Sequence, residues 1–170
     1  MAMPRLFTIV SGKVKGIILS IQSSAGAGDA DKLVATDGTG KIHSSFLPAG
    51  LGAATISVTT TEALAAGDFV EIYVSSGAKC RKADAATLKR AKGFVLAAVG
   101  SGALATIYPL GEVNNQLAGL VPGTDYYLSL TAGGITTSAP SSTGQMYQYL
   151  GTAISTTELA TTSDLAVELA

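Results

Sequence analysis

The chain of 170 residues has one cysteine, one histidine and no tryptophan. With Cys80 alone, no intrachain disulfide can form. A zinc centre ordinarily draws on several Cys or His ligands, and a Ser-His-Asp system would have to use His43. Charge is also scarce. Asp, Glu, Lys and Arg make up 14% of the residues and the net charge is −1, against roughly 25% charged residues in ordinary soluble proteins. No broad field steers such a chain to nucleic acid or to an acidic surface. No apolar run approaches the roughly 20 residues of a membrane-spanning helix, and the start, "MAMPRLFTIVSGKVKGIILSIQSS", is interrupted by Ser11, Lys13 and Lys15 and does not read as a secretory leader. The scarcity of charge, with an apolar excess carried by Ala, Val, Leu and Ile, is expected to reflect surface covered by partner subunits; the alternative is a small-residue β-protein whose surface is Ser, Thr and Gly.

What is present is a succession of short β-type segments. "LFTIV" and "VKGIILSI" are rich in β-branched residues, with Ser11-Gly12 as a turn between them. From Ser23 to Gly40 the composition shifts to Gly, Ala, Asp, Ser and Thr around a short "KLVA" strand, and a boundary is expected near Gly50 to Ala54. Beyond it, "TISVTT", "FVEIYVS", "CRKAD", "AKGFVLAAV", "ALATIYPLG", "DYYLSL", "ITTSAP" and "GQMYQYLGTAIS" read as strands. "FVEIYVS" alternates as a half-buried strand should, and "CRKAD" reads as a short edge strand. "SGAK", Gly100-Ser101-Gly102, Pro122-Gly123 and Gly133-Gly134 supply the turns. "NNQLAGLVPGT" reads as a loop, a short last strand is expected within Leu165 to Leu169, and the one helical candidate is "DAATLKRA". Short strands at near-regular spacing imply an all-β fold: a small β-sandwich or barrel body over residues 51–170 and an extended N-terminal β arm, or anchor, over residues 1–50.

Several motifs invite a chemical reading. "GAGDADKLVATDGTGKIHSSFLPAG" carries a Gly40-Lys41 step, but Ala35 stands where a phosphate-binding loop needs its first Gly and Ile42 where it needs Ser or Thr. Asp29 and Asp31 start a calcium-loop pattern that Leu33 breaks and no Glu closes, leaving only adventitious Ca²⁺ at Asp29, Asp31 or Asp37 as an alternative. Asp37-Gly38 and Thr39-Gly40 read better as turn formers. His43, beside Ser44 and Ser45, reads as a polar strand residue. Cys80 lies among Lys79, Arg81 and Lys82, cations that could lower a thiol pKa; an ordinary strand residue in a basic edge is the simpler reading. Lys79, Arg81, Lys82, Lys89, Arg90 and Lys92 form the one basic group, read as a solvated or partner-facing patch rather than a nucleic-acid site. Tyr126, Tyr127, Tyr147 and Tyr149 alternate with apolar residues. Half are expected in the core and half on the surface, either as a side-chain ladder or as a carbohydrate-binding platform on Tyr126, Tyr127 and Tyr149. No acid, base, nucleophile and oxyanion donor assemble into an enzyme, so no catalytic, cofactor-binding or metal residue is expected and no cofactor is assigned.

The phrases "LAAGDFV", "RKADA", "AKGFVLAAV", "GLVPGTDYYLS", "GGITTSAP" and "QYLGTAIS", in this order between Ala63 and Leu159, resemble a segment of tailed-bacteriophage virion proteins. The resemblance is to capsid cement (decoration) proteins and to head- or tail-fibre modules, and the upstream "DADKLVATDGTGKIHSSFLP" is similar to a stretch of fibre-like proteins. It implies a structural role without catalytic residues: a cement protein bound to the major capsid protein on the capsid exterior, made in the bacterial host cytoplasm. A homotrimer around local threefold positions is implied as well, without nucleic-acid or membrane partners. The chain stops at Ala170 with no receptor-binding domain after the module, which favours cement over fibre.

Overall fold

The computed structural model describes residues 5–10, 13–29, 32–43, 46 and 55–170, with 5–10 and 13–19 described by their backbone. The chain divides into two compact units, 1–52 and 53–170. The boundary expected at Gly50 to Ala54, like the turn expected at Ser11-Gly12, involves residues outside those described. The architecture is all-β.

In the first unit, β1 (Arg5–Val10) and β2 (Lys13–Ile21) form an antiparallel pair whose register runs from Arg5↔Leu19 to Val10↔Lys13, shifting between Phe7 and Ile9. The segment read as a short strand around "KLVA" is β3 (Leu33–Val34), which adds parallel to β2 at Ser20↔Leu33 and Ile21↔Val34. A 3-10 turn at Ala27–Asp29 lies in the connection.

The second unit begins with a closed five-stranded barrel. Its strands are β4 (Ile56–Thr60), β5 (Phe69–Val74), β6 (Ala78–Lys82), β7 (Gly93–Phe94) and β8 (Leu104–Pro109), in the order β4-β6-β5-β7-β8. The β4–β6 pair is parallel and the others antiparallel. Closure removes sheet edges, and it overturns the reading of "CRKAD" as an edge strand. β6 is bonded to β5 along its length and to β4 at Lys79 and Cys80, and beyond them the Lys82 N–H donates to Glu62 Oε1 at 2.7 Å. The β5–β6 hairpin turns through Ser76 at φ 51° and Gly77 at φ 105°, the left-handed values such a tight turn demands. The turn at Gly100 to Ala103 also forms, with the Ala103 N–H donating to Gly100 O at 3.2 Å. The strand expected before it is shorter, however. After Phe94 the chain leaves β8, and Val99 bridges Leu64 instead.

A second sheet follows: β9 (Val113–Asn114), β10 (Asp125–Leu128), β11 (Ile135–Thr136), β13 (Tyr149–Ala153) and β14 (Leu159–Thr161), ordered β11-β10-β13-β14-β9. β9 forms at the head of the stretch read as a loop. β12 (Met146–Tyr147) pairs with β15 (Val167–Glu168), which lies inside the range where a last strand was expected. "GQMYQYLGTAIS" is thus two strands, broken at the buried Gln148. The helical candidate "DAATLKRA" closes after one 3-10 turn, Ala85–Thr87. Asp84 caps it, accepting from Ala86 N–H at 2.8 Å and the Thr87 hydroxyl at 3.0 Å, and Leu88 at φ 58° ends it.

Two apolar clusters hold this unit together. Val58, Leu64, Val70, Cys80, Val95, Ala105 and Ile107 make one; Phe69, Phe94, Leu128, Leu150 and Leu159 are among the members of the other. Phe69 and Val70 are consecutive and both fully buried, as are Phe94 and, within 1%, Val95. Successive strand residues point to opposite faces. β5 and β7 are therefore covered on both sides at this level, and Phe69-Val70 departs from the half-buried alternation expected of "FVEIYVS". Val70 and Val95 fill one cluster with the residues of β4, β6 and β8. Phe69 and Phe94, register partners with ring centroids 5.9 Å apart, join Leu128, Leu150 and Leu159 of the second sheet in the other.

Candidate binding face

β10 and β13 pair antiparallel, with Tyr126 opposite Gly151 and Tyr127 opposite Tyr149. One residue on β10 thus answers two on β13, which is a β-bulge at Leu150. Gly151 sits at φ 148°, and a Cβ there would stand 2.0 Å from the Ala160 carbonyl oxygen, so the bulge requires glycine. The extra residue changes the phase of the strand. Tyr149 and Thr152, three apart and so on opposite faces of a regular strand, both contact Asp125. The Thr152 hydroxyl donates to Asp125 Oδ1 at 2.7 Å, the Tyr149 hydroxyl donates to the same oxygen at 3.2 Å, and the two hydroxyls lie 2.8 Å apart.

Tyr127 lies against two further rings. Its centroid is 5.4 Å from that of Tyr147, at 51°, and 5.7 Å from that of Tyr149, at 60°. Tilted and edge-to-face pairs of this kind set the positive rim of one ring against the negative face of the next. All three tyrosines are half-buried. Burial first, and then the neighbouring Tyr147, raises the Tyr127 phenol pKa. Beside the rings is a hollow of about 350 Å³ lined by Ser129, Thr136, Ser138, Pro140, Ser142 and Gln145 among others. Thr136, one of its lining residues, is the register partner of Tyr127, which sets that ring and the hollow on the same face of the sheet.

The four tyrosines singled out in the sequence are therefore sorted by the fold. Tyr126 is 6% exposed, belongs to the core, and accepts the Val121 N–H at its hydroxyl oxygen at 3.0 Å. It drops out of any surface platform. Asp125, Thr152 and the hydroxyls of the hollow were not legible beforehand. The one signal for them was Gly151 inside a strand pattern, where glycine often marks a bulge.

The other sequence candidates are placed as follows. Asp37 Oδ1 accepts from Thr39 N–H, the Thr39 hydroxyl and Lys41 N–H at 2.8, 2.7 and 3.0 Å. These bonds, that from the Thr39 hydroxyl first, hold its pKa below the usual carboxylate value, and the loop is a self-satisfied turn. Asp29 accepts from Ala25 N–H and Lys32 Nζ, and the bond from Lys32 lowers its pKa most. Asp31, Ser44 and Ser45 lie outside the described residues, and His43 is exposed. Among the described residues, no three His, Cys, Asp or Glu side chains group so as to hold a metal ion.

Cys80 is fully buried in the cluster with Val58 and Val70. The expectation that its basic neighbours could lower the thiol pKa is corrected: burial pushes it up. Along β6 the adjacent Lys79 and Arg81 point away from Cys80, and the charges of Arg81 and Lys82 are engaged by acidic partners. Arg81 Nε meets Glu71 Oε2 at 2.7 Å with its guanidinium 4.2 Å over the Tyr73 ring, and Lys82 Nζ meets Asp68 at 3.1 Å. The basic group is thus divided. Arg90 and Lys92 line a separate hollow of about 250 Å³ with Gln148 and Asp164.

Comparison with protein-family models, with curated proteins and with solved structures finds no match to the chain.

Proposed function

We propose that the chain is a structural protein of a tailed-phage virion: a capsid cement protein that binds the major capsid protein lattice as a homotrimer. The phrases between Ala63 and Leu159 suggest the class, and the observation that carries the reading lies in the first unit. Its strands β1 and β2 are apolar in sequence, and none of its residues described for burial is buried. Leu33, Val34 and Ile42 are 41%, 51% and 57% exposed. A sheet of two or three short strands is marginal in water by itself, and exposed apolar side chains on it are available to a partner. An anchor that lies on a neighbouring subunit, by strand addition or along a groove, meets both requirements. The body has what a cement subunit needs: two apolar clusters and a closed barrel.

Reconstruction of the virion that carries the protein tests this. Density for the chain at the copy number of the capsid lattice is expected, with threefold clustering, and the isolated protein should sediment as a trimer. A few copies at a vertex or tail would make it a fibre component, and absence from the particle would end the reading.

A further inference from the structure

We propose that the outer face of the second sheet is a binding site for a neutral oligosaccharide, formed by the rings of Tyr127, Tyr147 and Tyr149, the Asp125 carboxylate and the hydroxyl-lined hollow beside them. The inference does not rest on the capsid role and can fail or hold without it.

Three observations carry it. The tyrosine rings are held by tilted and edge-to-face contacts with Tyr127 and remain partly exposed, so the ring surface they offer costs little further ordering on binding. A pyranose ring has an apolar C–H face that stacks on such a surface. Next, Asp125 uses Oδ1 for Tyr149 and Thr152 and is exposed, while its Oδ2 has no partner among the described residues. That oxygen can accept from a pair of sugar hydroxyls, held in place by the bonds to Oδ1. Finally, the hollow is lined by Ser129, Thr136, Ser138 and Ser142, whose hydroxyls both donate and accept, with the Gln145 amide beside them. Its volume of about 350 Å³ falls in the range of small-ligand pockets.

The chemical class follows from charge and length. Among the described residues no Lys or Arg lines the hollow, and the carboxylate of Asp125 repels anionic sugars and phosphates. From Asp125 to Ser129 the chain spans roughly 13 Å at the rise of an extended strand, more than one sugar ring and enough for a short oligosaccharide. Tyr and Ser together also suit a protein partner, but the concave, hydroxyl-lined hollow favours the small polyhydroxylated ligand.

The chain has no tryptophan, so its intrinsic emission comes from tyrosine alone. The full-length protein is titrated with maltotriose, cellotriose, mannotriose, chitotriose and, as the anionic probe, sialyllactose, following tyrosine emission and calorimetric heat. At least one neutral trisaccharide is expected to bind at millimolar concentration or better. Tyr149→Ala and Asp125→Asn should each weaken it tenfold or more, Tyr149→Phe should retain part of the affinity through its ring, and Val74→Ser on the barrel hairpin should leave it unchanged. Circular dichroism confirms that each variant is folded. The proposal is overturned if no neutral probe binds up to tens of millimolar. It is equally overturned if sialyllactose alone binds, if affinity survives in folded Tyr149→Ala and Asp125→Asn, or if this face captures only a protein.

Discussion

Gln148 holds both backbone groups of Ala91: the Ala91 N–H donates to Oε1 at 2.8 Å and Nε2 donates to the Ala91 carbonyl at 2.9 Å. The two residues are 57 apart in sequence, and both are within 2% of complete burial. The side chain acts as a short stretch of sheet. It satisfies the backbone just before β7 of the barrel from the break between β12 and β13, and so ties the barrel to the second sheet.

Gln148→Leu should therefore cost far more than its volume change suggests. It leaves a buried N–H and a buried carbonyl bare, at about 1–3 kcal/mol each. Gln148→Glu should be destabilised at neutral pH, where a charge is buried, and regain part of the loss in acid as the carboxyl takes a proton and recovers a donor. Urea unfolding at two pH values checks both. A loss under about 0.5 kcal/mol for Gln148→Leu would show that other groups or water can replace the side chain.

Gly151→Ala should disrupt the bulge. The added Cβ would meet backbone, not a flexible side-chain tip, and φ 148° is a value that L-residues rarely adopt. A loss of at least about 2 kcal/mol is expected from strain of this kind. The Tyr149–Asp125–Thr152 bonds should go with it, which NMR of the Thr152 hydroxyl and the tyrosine ring signals would report. Wild-type stability and unshifted ring signals would contradict the account.

Cys80 should resist alkylation in the native protein and react at once in denaturant. Burial raises its folded pKa above the unfolded value. The neutral thiol therefore contributes stability that is complete below the unfolded pKa and is lost as pH rises through the ordinary thiol range toward the folded value. In Cys80→Ala the alkaline decline should be shallower, although the variant starts lower by about 1 kcal/mol for the lost sulfur packing. Parallel alkaline declines in the two proteins would remove the thiol as the cause. His43→Ala, at an exposed position, should leave folding and assembly unchanged; loss of particle formation by a folded His43→Ala protein would reveal a role not assigned to it.

Deleting residues 1–50 should leave a body that folds, because among the described residues both apolar clusters are made of residues from Val58 onward. The truncated chain should no longer decorate capsids. Circular dichroism and a capsid-binding assay separate the outcomes. An unfolded product would make the first unit part of the core, and a folded one that still binds would move the anchor into the body.

The sequence by itself determined the fold class and most of the punctuation. Short β-branched runs separated by Gly-rich turns have few alternatives to pairing as strands, and Gly100 to Ala103, "SGAK" and the Asp37 loop turn where their residues say, because turn geometry is a local property. It also marked Asp37-Gly38 as turn formers, and Asp37 accepts the Thr39 and Lys41 N–H groups of its own loop. What it could not determine was which face of each strand is covered. Phe69 and Val70 look like one inward and one outward residue until the barrel closes on one side and the second sheet covers the other. "CRKAD" looks like an edge until β4 pairs alongside it in parallel. The tyrosine face depended most on tertiary structure: strand alternation assigns Tyr126 and Tyr127 to opposite faces but cannot say which is buried. The pairing of β10 with β13 decides that, and the bulge at Leu150 then brings Tyr149 and Thr152 onto Asp125. Pairing and burial come from contacts between segments distant in sequence, and no local run of residues encodes them.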